Sequence, residues 1–502
     1  MFEDFNKVIG EIRHNSLSEK AKLYLVYFTS GLFIVLNSFL IYKEFFWGAV
    51  IPAFIIIALF FIFALDKVLL LIVFLTPLSI NLLDKELNIG ISLPAEPLMF
   101  GLLVIFVIKV LFDFKYDRQV LHHPVTIAII FNLIWIFLTS VTSQIPLVSF
   151  KFFLSRLWFV VPMFFVALML LKNYRNINKL FWYYAIALAI VIIYTTYRHY
   201  INGFAEKTGT WVMKPFYNDH TAYGAVMALF IPVFVGLIIN PVQKGWARIA
   251  ALFMVAMMVM ALILSFSRAA WISLAVGTFV FAIALFKIRL RWVALTGILL
   301  FGILYTFKFE IFDYLAKNKQ DSSANFVEHV QSIANISSDA SNLERINRWQ
   351  SAIRMFNEKP ILGWGPGTYQ FAYAPFQQSK ERTIISTNFG DVGNAHSEYI
   401  GPMAESGILG MITFVLIMLT TLYTGFKVYR QSQLREVRLL SLSVTIGLIT
   451  YFAHGVLNNF LDTDKLSIPF WGFIAVLVAL DLYHKDHLKQ AKDTGLKPSA
   501  NF

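Results

Sequence analysis

A few basic residues sit where a mostly apolar chain has no cheap use for them. Arg268 lies in Ser265-Phe-Ser-Arg-Ala-Ala-Trp271, between two long apolar runs. An arginine at membrane depth is costly and faces a cavity or a partner, or else snorkels to the interface from a helix end. The tight Ser-Arg-Ala-Ala junction leaves no loop for such a stem, which favours a pocket. Arg345 and Arg348 lie in Leu343-Glu-Arg-Ile-Asn-Arg-Trp349. The planar guanidinium fork suits a phosphate, although Glu344 beside them also fits a solvated helix face. His396 lies in Gly393-Asn-Ala-His-Ser-Glu-Tyr399. A neutral imidazole there can take a proton from a hydroxyl, or can simply be hydrogen-bonded at an interface.

Other groups surround these in sequence. Glu398 and Glu405 are spaced to share a helix face, and could orient the histidine or cap structure. The run Gly363-Trp-Gly365-Pro-Gly367 either offers backbone N–H groups to a phosphate or forms a plain turn. Arg198, His199 and Lys214 add basic groups on a second polar segment, 198–220. His454 and Asp462 read as structural.

The elements that must position these residues are membrane helices. Of 502 residues, 58% are hydrophobic and 14% charged, against about 25% charged in a soluble domain. Phe, Tyr and Trp are abundant, as suits lipid and its interfaces. The +12 net charge would suggest nucleic acid in a soluble protein. Here it falls mainly in the N-terminal segment, in alternate short loops and in the tail, where it reports topology. A nucleic-acid partner is therefore not expected. With no cysteine, disulfides and thiolate chemistry are excluded. The apolar run after the polar first 21 residues is long enough to span and reads as a retained helix, with no cleavable signal peptide.

Apolar stretches near span length fall at 22–42, 46–64, 67–83, 96–113, 124–143, 152–171, 178–197, 221–240, 247–266, 269–286, 291–307, 407–426, 439–457 and 467–483. The expected fold is an all-α polytopic bundle of about 12–14 transmembrane helices. Spans occupy residues 1–307 and 397–484, and 485–502 form a cytoplasmic tail. An even count puts both termini on one side, and the Lys/Arg bias of the loops on that side makes it the cytoplasm. The polar segment 308–396 then faces outward, and a loop of that length usually carries function. Within it, Asn342–Glu358 reads as a helix capped by Ser341 or Asn342, with Ile346, Trp349, Ile353 and Phe356 on one face.

Absences narrow the chemistry. The spans hold almost no Asp or Glu, which weighs against a proton- or sodium-coupled transporter. No His/Cys cluster or HExxH run suggests a metal. The first outer loop, around Lys43 and Glu44, lacks the acidic set that divalent-dependent membrane glycosyltransferases carry there.

Ser267-Arg-Ala-Ala-Trp271 resembles the Ser-Arg-Gly/Ala motif of the O-antigen ligase and O-antigen polymerase superfamily of bacterial membrane glycosyltransferases. Arg345 and Trp349 resemble its Arg-x-x-x-Trp helix. Pro360-Ile-Leu-Gly-Trp-Gly365 follows, then Asn394-Ala-His396 with Glu405-Ser-Gly-Ile-Leu-Gly410. The order of these motifs around one large outer loop carries the resemblance over about 260–415; elsewhere it is topology alone. It implies a metal- and cofactor-independent enzyme in the bacterial inner membrane, with its site facing the periplasm. Such an enzyme takes a glycan from undecaprenyl pyrophosphate and joins it to an acceptor hydroxyl, on the lipid A core, another glycan or a protein. Arg268 and Arg345 would hold the pyrophosphate and His396 would deprotonate or orient the acceptor. Arg348, Arg198 and Lys214 would add phosphate contacts. The competing class is a transporter or flippase of a lipid-linked solute.

Overall fold

The computed structural model describes residues 19–44, 60–61, 64–84, 89–113, 116–240, 245–286, 340–383 and 393–485, with residues 48, 288 and 386. Its elements are α1 (Glu19–Tyr42), α2 (Leu65–Leu75), the strands β1 (Ile80–Asp84) and β2 (Ile89–Leu93), α3 (Ala95–Asp113) and α4 (Pro124–Val141). There follow α5 (Pro146–Leu171), α6 (Tyr174–Ile201), α7 (His220–Ile239), α8 (Trp246–Leu264) and α9 (Arg268–Leu285). Helix α10 (Ala340–Glu358) precedes α11 (Ile400–Gln431), α12 (Arg435–His454) and α13 (Asp464–His484). Among the described residues, ten of these helices are long and apolar enough to cross a membrane. A helix satisfies every backbone group within its own segment, which a bilayer demands. The fold is all-α and polytopic.

The chain divides into two compact units. The first, residues 1–68 and 107–117, includes α1, whose Tyr24, Phe28, Val35 and Phe39 are exposed, as suits contact with lipid. The second, residues 69–106 and 118–502, holds the candidate site residues. Its centre is α13, in which every residue from Asp464 to Ala479 is buried. Helices α7 and α12 lie side by side, α9 and α11 flank α12, and α4 packs on α11. Small residues let these backbones approach. A Cβ at Gly236 would stand 2.4 Å from Ser443 Oγ, and one at Gly277 2.6 Å from Thr450 Cγ2.

Ten expected spans, from 96–113 onward, correspond to the ten helices. The expected spans 46–64 and 291–307 lie largely or wholly outside the described residues. The span at 67–83 is corrected. Its helix ends at Leu75, Pro77 sits in a single 3-10 turn, and β1 and β2 then pair antiparallel from Ile80↔Leu93 to Asp84↔Ile89. A short apolar run suits strand and helix alike by periodicity. Here a buried ion pair decides: Lys465 Nζ donates to Ser79 O at 2.7 Å and pairs with Asp464, whose carboxylate accepts from Ser79 Oγ. That contact ties the start of α13 to the turn before the hairpin.

Candidate active site

The loop after α10 and the start of α11 interlock. Gly363 N–H donates to Lys359 O at 3.1 Å, Trp364 N–H to Ala404 O at 3.2 Å and Gly365 N–H to Glu405 O at 2.7 Å; Ile408 N–H donates back to Pro360 O at 2.9 Å. A Cβ at Gly363 would stand 2.3 Å from the Glu405 carbonyl, and one at Gly407 2.0 Å from Ile361 O. Both glycines hold φ of +69°, a region closed to most side chains, and Gly407 kinks α11 there. The N–H groups of Gly363 and Gly365 are thus spent within the protein. The run is a close-packed turn rather than an open phosphate nest. The Glu405 carboxylate accepts the Tyr369 N–H at 2.9 Å and so caps the segment that follows.

Helix α10 turns a polar stripe inward. Ile346, Trp349, Ile353 and Phe356 are only half-buried, whereas Glu344, Asn347, Arg348, Ser351, Ala352 and Met355 are buried. This inverts the face read from hydrophobic spacing. It is stable because the polar groups are partnered. Arg348 Nε donates to Glu344 Oε1 at 2.9 Å, Asn347 Nδ2 to Gln377 Oε1 at 2.9 Å and Ser351 Oγ to Asn347 O at 2.8 Å. Glu344 also accepts from Thr383 Oγ1 at 2.9 Å and from Ser386. Burial alone would raise the Glu344 carboxyl, but hydrogen bonds from Ser386, Arg348 and Thr383 hold it below the ordinary carboxylate range.

Arg348 shapes the turn that carries His396. Its Nη1 donates to Asn394 O at 3.2 Å and its guanidinium lies 5.7 Å from the Tyr373 ring centre. Gly393 holds φ of +100°, a region L side chains rarely adopt, and a Cβ there would also fall 1.8 Å from that nitrogen. His396 follows in the left-handed region at φ +50°, its N–H donated to Asn394 Oδ1 at 3.1 Å. Glu398 anchors the turn's other end: its N–H donates to Gly455 O at 2.8 Å. Its carboxylate accepts from Tyr451 Oη at 2.7 Å and from the N–H groups of Phe460 and Leu461 at 2.9 and 3.0 Å. Burial raises the Glu398 carboxyl above its ordinary value. Glu398 is therefore a clamp on the α12–α13 connection. Burial and the positive charges of Arg348 and Arg345 push the His396 imidazole down to about 4, so the ring is neutral near pH 7.

Arg268 opens α9 and is half-buried. Ser267 caps the helix, its Oγ accepting the Ala270 N–H at 3.4 Å. The turn packs at Gly224, one turn into α7, where a Cβ would stand 3.0 Å from Ser265 Oγ, Ser267 Cβ and Ala270 Cβ. Ala269, next to Arg268, lies against the ring of His454 at the end of α12. The charges of Arg345 and Asp219 act on that same ring, and Arg345 also acts on His220 and His396. The start of α9, the start of α7, the end of α12, helix α10 and the His396 turn therefore converge on one electrostatic neighbourhood. Fixed cations beside a neutral imidazole there can hold a phosphorylated group next to a hydroxyl nucleophile. Among the described residues, no three His, Cys, Asp or Glu side chains come together as metal ligands.

Residues 252–415 match the family described as O-antigen ligase. That match, over about a third of the chain, supports the O-antigen ligase and polymerase superfamily. An uncharacterized protein of Haemophilus influenzae is 23% identical over 161 residues, which is 32% of this chain and 35% of that protein. The match thus spans about a third of the relative's own length.

Of the residues read from sequence, Arg268, Arg345, Arg348, Gly363, Gly365, His396, Glu398 and Glu405 fall inside the matched segment. Arg198 and Lys214 precede it. The described contacts of Arg198 are local: its Nη1 donates to Tyr194 Oη at 3.1 Å and Val212 O at 3.2 Å, and its guanidinium lies 5.1 Å from the Trp211 ring centre. Arg198 thereby pins the turn that exposes Lys214. No interaction described for either residue links it to the His396 neighbourhood. Sequence reading missed Asp219 and His220. Their signal was an acid and a histidine at the mouth of an apolar span, and the capping role of Asp219 conceals it: its Oδ1 accepts the Thr221 N–H at 2.8 Å.

Proposed function

We propose that this chain is a metal-independent glycosyltransferase that moves a glycan from a polyprenyl-pyrophosphate carrier, undecaprenyl pyrophosphate in bacteria, to an acceptor hydroxyl. Ligase-type transfer to the lipid A core of lipopolysaccharide is the preferred form, and polymerase-type transfer to another carrier-linked glycan is the alternative. The observation that carries this reading is the convergence of Arg345, His396 and the helix start at Arg268 within the segment that matches the O-antigen ligase family. The chain sits in the inner membrane with both termini cytoplasmic and the site facing the periplasm. The Lys/Arg bias of its short loops supports that orientation.

In this mechanism Arg268 and Arg345 hold the pyrophosphate and offset the charge that grows as its bond to the anomeric carbon breaks. His396, neutral and flanked by arginines, meets the acceptor hydroxyl. Attack from the face opposite the leaving group inverts the anomeric centre. Arg348, spent on Glu344 and Asn394, acts as a positioning residue for His396. Arg198 and Lys214 belong to the outer approach. The test is purified protein with lipid-linked donor and a verified acceptor, read for covalent product. In cells, loss of long-chain lipopolysaccharide with polymer still on the carrier marks a ligase. Carrier bearing single repeats marks a polymerase. Solute movement across vesicles without covalent product would instead support a flippase.

A further inference from the structure

His220 stands at the start of α7 with 28% of its side chain exposed, and Asp219 beside it has 43% exposed. The two side chains form a carboxylate–imidazole pair, His220 Nδ1 lying 3.3 Å from Asp219 Oδ1. That contact is an ion-pair approach rather than a hydrogen bond, with Nδ1 the nitrogen nearer the acid. It leaves Nε2 directed onward, and Nε2 makes no hydrogen bond with any described residue. An acid within ion-pair distance of one ring nitrogen, with the other nitrogen open, favours the protonated form of an imidazole. His396 is differently placed. The charges of Arg348 and Arg345 act on it, Asp219 and Glu344 act on it more weakly, and among the described residues no carboxylate lies within ion-pair distance of its ring. Its ring can accept a hydrogen bond, yet it is poorly placed to hold a positive charge.

We propose that the Asp219–His220 pair is the proton acceptor of the transfer reaction, and that His396 orients the acceptor hydroxyl rather than deprotonating it. This rests on the glycan-transfer reading above. As the acceptor oxygen bonds to the anomeric carbon, its O–H bond breaks and the proton passes to His220 Nε2. The bond from the anomeric carbon to the pyrophosphate breaks with its electron pair, and the pyrophosphate leaves as an anion held by Arg268 and Arg345. The Asp219 carboxylate balances the new imidazolium. The charged and titratable groups that face the pair are Arg345 from α10, His396 from its turn and His454 from the end of α12, with Arg268 at the neighbouring start of α9.

The test is the pH profile of kcat in purified full-length protein with lipid-linked donor and a saturating glycan acceptor. Wild type should show an acid limb, because the base must be unprotonated to work. His220→Gln should lower kcat ~10²–10⁴-fold at little-changed donor KM and abolish that limb. Asp219→Asn keeps the helix cap, since asparagine caps as aspartate does. It removes the charge that favours the protonated ring, so the limb should move to lower pH. His396→Gln should lose activity yet keep the limb in place. If the His220 variant does not fold, the Asp219→Asn shift decides alone. An acid limb unchanged in Asp219→Asn or His220→Gln, or one that disappears with His396→Gln, overturns the proposal. Wild-type protein that transfers no glycan at all defeats the underlying reading instead, a result distinguishable from either.

Discussion

At the scale of single residues, the arginines and His396 should fail in different ways. Arg268→Ala and Arg345→Ala should weaken donor binding and slow transfer together, because a fixed cation meets the phosphate before and during bond cleavage. Each loss should be of order 3 kcal/mol in transition-state stabilisation, read from kcat/KM. Lysine at either position should rescue only part, since a point charge cannot reproduce the bidentate fork. His396→Ala should leave donor binding nearly intact and remove most turnover. With its imidazole held near 4, His396 stays neutral across pH 5–9, so it should impose no titration of its own in that window. Gly407→Ala forces a Cβ to 2.0 Å from Ile361 O at φ +69° and should destabilise the protein by about 1–3 kcal/mol or more, measured by thermal unfolding in detergent. The residue types at this site were legible in the chain: arginines beside apolar runs and a histidine at a span boundary need no structure to be noticed. What the turn 363–367 does was not legible, because glycine spacing alone cannot tell an exposed N–H from one already bonded to Glu405 O.

At the scale of elements, α10 depends on one buried ion pair. Glu344 and Arg348 are both nearly inaccessible, and removing one leaves the other charge uncompensated. Glu344→Gln should therefore loosen α10 and the His396 turn, seen as faster amide exchange over 340–358 and 393–399, with a local cost of about 3–5 kcal/mol. The pH sign follows from a carboxyl held below its ordinary value. Its stabilisation is complete above the unfolded value of 4.5 and is lost as pH falls through the lower folded one. Exchange over α10 should thus rise under acid conditions in wild type and be less pH-sensitive in Glu344→Gln. The helix itself could be read from sequence to within two residues of its start at Ala340. Its buried face could not. Hydrophobic spacing points to Ile346 and Trp349, while the face actually buried is chosen by partners at Gln377, Thr383 and Ser386, distant in sequence. The hairpin at Ile80–Leu93 escaped for a related reason: its apolar run is decided by Asp464 and Lys465, nearly four hundred residues downstream.

At the scale of the whole molecule, the helices from Ala95 onward could be read almost directly, because the bilayer enforces length and hydropathy on each alone. Sidedness rests on the Lys/Arg bias and has a simple check in a chain without cysteine. Lys214→Cys should react with a membrane-impermeant maleimide in intact spheroplasts, and Gln433→Cys only after permeabilisation; the reverse pattern would invert the topology. Because no three His, Asp or Glu side chains come together as metal ligands among the described residues, transfer should persist in excess EDTA, and loss that Mg²⁺ or Mn²⁺ restores would show that the chemistry was misassigned. The most direct measurement is single-turnover transfer by purified protein, following both glycan and carrier. Labelled polyprenyl-pyrophosphate glycan and a verified acceptor should give one covalent glycan–acceptor product per molecule of carrier released as pyrophosphate, with Arg345→Ala and His396→Ala both impaired. An intact donor after long incubation, or transfer undiminished in both variants, would contradict the account.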